Sequence, residues 1–266
     1  MAAMNCTVPL VSIITIVRND RPGLSRTIAS VARFKGNQTE YIIIDGASTD
    51  DTLRALNDET TSIVDTVVSE PDKGIYDAMN KGIERACGTY LLFLNAGDEL
   101  LADLETLIKS QSEEPVILYG LANIVTEDGT LIYVRGKRLF SLHRLFKGMP
   151  LCHQAILYRR DAMVPYDLRF KIISDRVTTY TIVKKHGLSH TAFVNCIIAN
   201  SYDGGVSGNY PYKLRLEEEN LFYRSAGKPY YVAIKSLNTL FRYKVKYPLL
   251  RLLHKKSKSL PENRNL

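Results

Sequence analysis

The chain has 266 residues, of which 45% are hydrophobic and 24% are charged. This composition is typical of a globular protein with a sizeable core and excludes a globally disordered chain. No apolar run approaches the roughly 18 residues of a membrane-spanning helix, and the four cysteines form no CxxC pair, which argues against a disulfide framework or zinc site. The apolar run at residues 8–17 ends in Arg-Asn-Asp rather than in a signal-peptide cleavage motif. We therefore expect a protein of the reducing cytoplasm.

The net charge of +7 is unevenly distributed along the chain. Between residues 228 and 258 there are nine lysines and arginines and no acidic residue, which leaves the rest of the chain near −2. Apolar residues recur at helical spacing in this segment, so we predict basic amphipathic helices there. Such a tail suits an anionic membrane surface, although a docking helix with a solvated charged face fits the same pattern. Its few tyrosines argue against a nucleic-acid partner.

The first hundred residues alternate between strand and helix patterns. Short apolar runs predict four buried strands, at residues 11–17, 41–44, 63–68 and 90–94. Between them, apolar residues at helical spacing predict helices that begin near residues 20, 51 and 75. Strands separated by helices of this length predict an α/β fold with a mostly parallel sheet and helices on both faces.

The pattern changes after Pro115. An apolar run at residues 116–119 predicts another strand, and two apolar runs on either side of Asp128-Gly129 predict a β-hairpin. A helical pattern then follows Asp175, and a glycine-rich loop at residues 203–209 precedes the amphipathic tail. This loop fits either a lid over a bound ligand or an ordinary surface loop.

Polar residues stand at the edge of the predicted sheet where open parallel sheets bind ligands. They are Thr15 and Asn19 at the first strand, Asp45 after the second, residues 70–74 after the third and Asp98 after the fourth. Several acids at one edge suggest a cation or a polyhydroxyl ligand, although each acid also fits a helix cap. The motifs GxxxxGK[ST] and GxGxxG are absent from the sequence at these strand ends, which disfavours a Walker-type NTPase and a dinucleotide-binding protein.

Four motifs follow one another at these strands: VSIITIVRN, IIIDGASTDDT, SEPDKGIYDAMNKGI and GTYLLFLNAGD. In this order they resemble the family-2 glycosyltransferases with the GT-A fold, especially the branch found in bacterial exopolysaccharide, O-antigen and colanic acid synthesis. The resemblance spans residues 9–103 and resumes at 152–154 and 170–175. It implies a Rossmann-like GT-A domain over residues 1–226, divided into a nucleotide-binding half (1–110) and an acceptor half (111–226), and followed by the basic amphipathic tail (227–266).

The resemblance also implies roles at the donor side. Asp45 corresponds to the aspartate that contacts the nucleobase or ribose, Thr15 and Asn19 line the same pocket, and Lys73 lies near the base or phosphate. A carboxylate is a good acceptor for ribose hydroxyls and a poor neighbour for phosphate, which agrees with placing Asp45 at the nucleoside end.

Metal binding is implied for the residues after the fourth strand. Asp98 corresponds to the second acid of the family's Asp-x-Asp signature, which binds Mn²⁺ or Mg²⁺ between the two phosphates, and Ala96 replaces the first acid. Ala96 and Gly97 are expected to contact the donor nucleotide. One carboxylate plus the diphosphate suffices for a hard cation that tolerates water ligands, with Asn95 as a candidate additional ligand.

The acceptor side is implied by the second half of the chain. Asp175, in the motif KIISDR, stands where the family has its catalytic base, although it also fits a helix cap. One base and no enzyme nucleophile imply a single displacement that inverts the anomeric centre. His153, Gln154 and Arg176 are candidate contacts for acceptor or phosphate, and His153 fits a structural histidine equally well.

Together these observations predict an inverting glycosyltransferase that uses a UDP-, GDP- or dTDP-sugar. Its expected acceptor is a glycan or a polyprenyl-linked glycan, and its expected location is peripheral, on the inner face of the cytoplasmic membrane. Two alternatives stay open at this stage. One is a nucleotidyltransferase on a related sheet, and the other is a non-catalytic protein whose basic tail binds membrane or nucleic acid.

Overall fold

A computed structural model of the protein describes residues 8–56, 60, 62–202 and 210–232. The chain divides into two compact units, with the boundary between Tyr210 and Pro211, and we describe each unit by itself. The glycine-rich loop at 203–209 and tail residues 233–266 lie outside the described residues. The functional halves at 1–110 and 111–226, and the tail as a membrane-binding segment, stay predictions.

The first unit consists of a sheet and surrounding helices. Its strands are β1 (Val11–Val17), β2 (Thr39–Asp45), β3 (Thr66–Ser69), β4 (Tyr90–Phe93), β5 (Glu99–Leu100), β6 (Ile117–Val125), β7 (Leu131–Arg135), β8 (Ile156–Arg159) and β9 (Thr191–Tyr202). Its α-helices are α1 (Arg21–Ala32), α2 (Ile75–Arg85), α3 (Leu104–Lys109), α4 (Leu142–Lys147) and α5 (Ser174–His186). Short 3₁₀ turns occur at Thr52–Ala55, His153–Ala155, Arg160–Ala162 and Leu188–His190. The second unit contains α6 (Tyr212–Ser225).

The described strands form one sheet in the order β3-β2-β1-β4-β8-β6-β9-β5, and β7 pairs with β6. Strands β1 to β4 are mutually parallel where they pair. β8 is antiparallel to both β4 and β6, so β6 runs in the same direction as β4, and β9 is parallel to β6. The predicted mixed α/β fold with a mostly parallel sheet is confirmed.

Most of the predicted strands and helices are present in the structure. Their apolar residues are buried, which is the reason why the sequence pattern located them. All seven residues of β1 are buried, which explains its uninterrupted apolar sequence. Asp20 caps α1 by accepting from the Gly23 backbone N at 2.9 Å. The predicted hairpin is formed by β6 and β7.

Two local predictions were wrong. The third strand begins at Thr66 rather than at residue 63, and the expected helix after residues 48–51 is a single 3₁₀ turn. The alternative that Asp98 caps a helix is wrong too, because Glu99 and Leu100 form β5, which pairs with the end of β9. That pairing depends on a strand about a hundred residues away, which local sequence does not reveal. Within the described residues, no helix has the length and apolarity needed to cross a bilayer.

Candidate active site

The loops after β1 and β2 meet at one edge of the sheet. β1 lies between β2 and β4 and is parallel to both, so the chain leaves all three strands at this edge. The Asn19 backbone N donates to the Ser48 hydroxyl at 2.8 Å, and Asn19 Oδ1 accepts from the Thr49 backbone N at 2.8 Å. Asn19 and Ala47 have positive φ angles of 52° and 55°. Such conformations are costly in non-glycine residues and concentrate at functional sites.

Asp45 ends β2 and is fully buried. Its Oδ1 accepts from the Ser48 hydroxyl at 2.5 Å, and its Oδ2 accepts from the Ser48 backbone N at 3.0 Å and from the Ser69 hydroxyl at 2.6 Å. Asp45 therefore ties the ends of β2 and β3 to the following loop. Thr15 lies inside β1, fully buried, with its hydroxyl 3.1 Å from the Tyr41 hydroxyl. Donor contacts for Asp45, Thr15 and Asn19 stay predictions.

Gly46 allows the loops after β2 and β3 to approach each other. A Cβ at this position would lie 2.2 Å from Asp72 Oδ2, a distance that no real side chain adopts. Asp72 in turn accepts from the Gly74 backbone N at 2.9 Å, just before α2. Lys73, between them, is exposed, and its backbone N donates to Asp77 Oδ2 at 2.9 Å. Its predicted contact with base or phosphate is untested.

The turn from Asn95 to Asp98 is held by hydrogen bonds with the hydroxyl group of Thr27 in α1. The Thr27 hydroxyl lies 2.7 Å from the Asp98 carbonyl and 3.3 Å from the Asn95 carbonyl, and it accepts from the Gly97 backbone N at 3.0 Å. Thr27 is fully buried. Gly97 has a φ of 96°, a conformation that favours glycine. One hydroxyl group thus fixes the backbone that carries Ala96, Gly97 and Asp98.

Asp98 is buried, with 6% of its surface exposed. Its Oδ2 accepts from Gln154 Nε2 at 2.9 Å, and its Oδ1 accepts from the Tyr202 backbone N at 3.1 Å. Burial raises the pKa of the Asp98 carboxyl to about 7, against the opposing effect of these hydrogen bonds. The helix-cap alternative for Asp98 is wrong, because no helix begins at this residue.

The chemistry of this turn fits a hard cation. Asp98 supplies a buried carboxylate, and Asn95 Oδ1 is buried without a hydrogen-bond partner among the described residues. Both are oxygen donors of the kind that Mg²⁺ and Mn²⁺ prefer. Within the described residues, no group of three His, Cys, Asp or Glu side chains could hold an ion. A cation here would therefore need oxygen ligands from a bound diphosphate or from water.

Asp175 is held by a tyrosine of α2. The Tyr76 hydroxyl shares its one hydrogen between Asp175 Oδ1 at 3.1 Å and the Ile172 carbonyl at 2.9 Å. Asp175 is the second residue of α5, is partly exposed and makes no side-chain capping bond at the helix start. It therefore presents a carboxylate that is oriented by one neighbour and still accessible to solvent.

The 3₁₀ turn at residues 153–155 contacts Asp98 directly and is linked to Asp175 through two tyrosines. Gln154 bonds Asp98, whereas His153 Nε2 lies 2.8 Å from Tyr166 Oη. The Tyr166 ring packs against that of Tyr76, with centroids 5.3 Å apart, and Tyr76 contacts Asp175. The structure thus brings Asp98, Gln154, His153 and Asp175 into one connected cluster.

His153 is almost fully buried in this cluster. Its ring stacks on Phe93 at 5.4 Å, and burial lowers the pKa of its imidazole, while the nearby charge of Asp175 acts in the opposite direction. A neutral, hydrogen-bonded histidine supports the structural interpretation, and contact with substrate stays a prediction. Arg176 follows Asp175 in α5 and is 3% exposed, and its predicted contact with phosphate is likewise untested.

Three residues of this cluster were missed by sequence reasoning. Tyr76 stands in the motif SEPDKGIYDAMNKGI, but its hydroxyl reaches a partner 99 positions away. Thr27 looked like an ordinary helix residue, yet it contacts the Asp98 carbonyl 71 positions away. Tyr202 ends β9 and donates its backbone N, for which side-chain patterns give no signal. A buried polar residue on an otherwise apolar helix face was the available signal for Thr27.

A separate cavity lies away from these residues. It has a volume of about 820 Å³ and is lined by parts of β6 and β9 and by residues 138–140, including Tyr119, Arg138, Phe140 and Phe193. Phe193 lies near the start of β9, whereas Tyr202, at its end, contacts Asp98. This cavity contains none of the predicted catalytic or metal-binding residues.

Comparison with protein families decides the class of this protein. A profile described as glycosyl transferase family 2 matches residues 12–186, well over half of the chain. The chain belongs to this family. The matched region includes every predicted site residue from Thr15 to Arg176.

The family-2 glycosyltransferase described here is similar to bacterial glycosyltransferases named for PGL/p-HBAD and teichuronic acid biosynthesis. It is 33% identical, over 177 residues, to a PGL/p-HBAD biosynthesis glycosyltransferase of Mycobacterium bovis, and the match covers 63% of this chain and 67% of that protein. It is 32% identical over 126 residues to the putative teichuronic acid biosynthesis glycosyltransferase TuaG of Bacillus subtilis, covering 46% of this chain and 50% of TuaG.

Solved structures support the GT-A fold of this glycosyltransferase. Staphylococcus aureus TarS in complex with UDP is similar with a TM-score of 0.61 at 16% identity, covering 87% of this chain and 71% of that chain. The mannosyltransferase PcManGT of Pyrobaculum calidifontis, in complex with GDP-Man and Mn²⁺, has a TM-score of 0.57 at 14% identity, covering 83% and 65%. At these identities the likeness concerns the fold.

Proposed function

We propose that this glycosyltransferase transfers a sugar, with inversion, from a nucleotide diphosphate sugar to a hydroxyl of a glycan or polyprenyl-linked acceptor in bacterial surface polysaccharide synthesis. The observation that carries the proposal is the cluster around residues 153–154. Gln154 bonds Asp98, and His153 contacts Tyr166, whose ring packs on Tyr76, the tyrosine that contacts Asp175. The two carboxylates assigned to metal and base therefore share one cluster of contacts.

The proposed reaction needs one base and a stabilised leaving group. Asp175 accepts the proton of the acceptor hydroxyl as its oxygen attacks the anomeric carbon, and the bond from that carbon to the diphosphate oxygen breaks. Asp98, with Asn95 Oδ1 as a candidate second ligand, would hold Mn²⁺ or Mg²⁺, which would neutralise charge on the departing diphosphate. The Mn²⁺ in the PcManGT complex supports this choice of cation.

The donor is proposed to be a UDP-, GDP- or dTDP-sugar, held at its nucleoside end by Thr15, Asn19, Asp45 and Lys73. The UDP in TarS and the GDP-Man in PcManGT support a nucleoside diphosphate without deciding the base. Names of the relatives support an acceptor of the bacterial cell envelope. We infer a peripheral location at the inner face of the cytoplasmic membrane. Family membership favours sugar transfer over the nucleotidyltransferase and non-catalytic alternatives.

A binding panel followed by a transfer assay tests this proposal. Thermal shift with UDP-, GDP- and dTDP-sugars, with and without Mn²⁺, should identify one donor that raises the melting temperature, because binding to the folded state stabilises it. With that donor, Asp98→Asn and Asp175→Asn should each lower transfer at least about 100-fold. The matched control is Asp161→Asn, an exposed carboxylate that pairs with Arg159. Wild-type turnover in either site variant, or a product with retained anomeric configuration, contradicts the proposal.

A further inference from the structure

One surface of the first unit combines exposed apolar side chains with an unbalanced positive charge. We call residues 131–147, from β7 to the end of α4, the β7–α4 segment. Four consecutive residues of β7 are exposed to 46–54%, and Leu139 is 82% exposed. Within the described sheet β7 pairs only with β6, so its outer edge is open. An open, apolar edge strand is an interaction site unless something covers it.

The charge of this segment has a single sign. The segment contains five lysines and arginines, and no acidic residue occurs anywhere between residues 129 and 160. The cations of the segment are Arg135, Lys137, Arg138, Arg144 and Lys147. Lys137, Arg138 and Arg144 are exposed and form no ion pair with a described residue. The segment therefore presents apolar groups beside cations that are available to an anionic partner.

The pattern favours a lipid surface over a second copy of the chain. Two copies that met through this segment would bring like charges together, which is unfavourable. An anionic bilayer, by contrast, attracts each cation and accepts the exposed apolar side chains at the boundary between headgroups and acyl chains. Tyr133, 51% exposed, has the amphipathic ring that is enriched at this boundary.

The segment adjoins both the candidate site and the large cavity. Arg135 Nη2 lies 3.5 Å from the Met149 carbonyl, a few residues before His153 and Gln154. Arg138 and Leu139 line the 820 Å³ cavity, together with the aromatic rings of Phe140 and Phe193. The β7–α4 segment thus lines one part of this cavity.

We propose that the β7–α4 segment docks the enzyme on an anionic lipid membrane, with the apolar side chains of β7 inserted and the cations at the headgroups. This assigns membrane contact to the catalytic unit, independently of the basic tail. It rests on the proposed function only in that a lipid-linked acceptor would make such docking useful. Lipid binding itself requires no transfer.

A fluorescence experiment on the full chain tests insertion. The protein contains no tryptophan, so Tyr133→Trp introduces a single reporter. Its matched control is Val67→Trp, at a 44% exposed position of β3, an edge strand that is separated from β6 and β7 by four strands of the sheet order. On vesicles of phosphatidylcholine with about 30% phosphatidylglycerol, Tyr133→Trp should shift to the blue and be quenched by brominated lipid. Val67→Trp should do neither. Quenching at both positions, or at neither, overturns the proposal.

A sedimentation experiment tests the charges. Lys137→Gln with Arg138→Gln should lower the partition coefficient on the same vesicles roughly 30-fold, since each cation near an anionic surface contributes about 1 kcal/mol. The control, Lys184→Gln with Lys185→Gln, removes two adjacent exposed cations of α5 and should leave binding unchanged. Unchanged binding in the first variant shows that the tail or another surface binds lipid and overturns the proposal.

Two further measurements separate the possible failures. Light scattering without vesicles should give the same oligomeric state for wild type and for the Lys137→Gln/Arg138→Gln variant. A wild-type oligomer that the variant disrupts would instead assign the segment to contact with a second copy of the chain. Thermal shift with donor sugar reports nucleotide binding in the same variants. If the variant no longer binds lipid but still binds the donor sugar, the docking proposal is supported. If the wild type itself binds no donor sugar, the proposed function is contradicted and the lipid-binding result is unaffected.

Discussion

The Tyr76 hydroxyl lies 3.1 Å from Asp175 Oδ1, across 99 positions of sequence. This contact connects α2, which begins within the motif SEPDKGIYDAMNKGI, to the start of α5. The same hydroxyl lies 2.9 Å from the Ile172 carbonyl and shares its hydrogen between the two acceptors, so it also holds the backbone just before α5. Tyr76 is therefore a positioning residue for the proposed base.

Replacing Tyr76 by phenylalanine should reduce kcat about tenfold while leaving the KM for the donor unchanged, because the carboxylate loses its orienting partner but no donor contact. Steady-state kinetics with the donor identified by thermal shift measures both constants. Tyr90→Phe is the matched control, since its buried hydroxyl donates to the Pro115 carbonyl at 3.0 Å. A similar kcat loss in both variants would assign Tyr76 a purely structural role.

Thr27→Val should weaken Mn²⁺-dependent donor binding, because the turn that carries Asp98 loses its central hydroxyl. The free energy of unfolding should fall by about 1–3 kcal/mol as buried backbone groups lose their partner, and Thr27→Ser should restore both properties. Calorimetric titration of donor, with and without Mn²⁺, measures the first effect and chemical denaturation the second. Thr181→Val removes a hydroxyl bond to the Val177 carbonyl at an exposed position of α5, and it should leave the Mn²⁺ effect intact.

The stability of the metal-free protein should depend on the ionisation of Asp98. The pKa of this carboxyl is raised to about 7 in the folded protein, above the unfolded value of about 3.9. The folded state then binds more protons between these values, so the free energy of unfolding falls as the pH rises from about 4 to 7, by up to about 4 kcal/mol. Denaturation of wild type and Asp98→Asn across this range should show a shallower fall in the variant. Equal slopes would contradict this assignment.

Gly46→Ala should destabilise the protein by about 0.5–1.5 kcal/mol, because the new Cβ would displace the Asp72 carboxylate from its hydrogen bond with the Gly74 backbone N. If that clash is the cause, adding Asp72→Ala should recover part of the loss, and a double-mutant cycle by denaturation measures the coupling. Gly148→Ala is the control, since a Cβ there has no neighbour within 4 Å. If the changes in the free energy of unfolding are additive, Asp72 is not the residue that the new Cβ displaces.

The strand-end motifs could be located from sequence because β1, β2 and β4 are buried, short and apolar, and each is followed by polar residues. Their meeting at one edge follows from the parallel arrangement. The tie between Asp98 and Gln154 could not be derived in this way. It depends on β8, which runs antiparallel to β4, so residues just before that strand reach the edge where the other strands end.

The contacts of Thr27 and Tyr76 were inaccessible for a different reason. Each is one hydroxyl group that bonds across a long separation in sequence, and local periodicity records only that a helix position is buried. Burial of a polar group requires a partner, but the identity of that partner depends on the tertiary fold.

Because β8 runs in the reverse direction, separate stretches of the chain lead to the same edge of the sheet. The loops proposed to bind the donor follow β1, β2 and β4, whereas residues 136–152 come before β8 and lead into it at the same edge of the sheet. Under the proposed function, exchanging this stretch changes the acceptor while leaving the loops after β1, β2 and β4 in place.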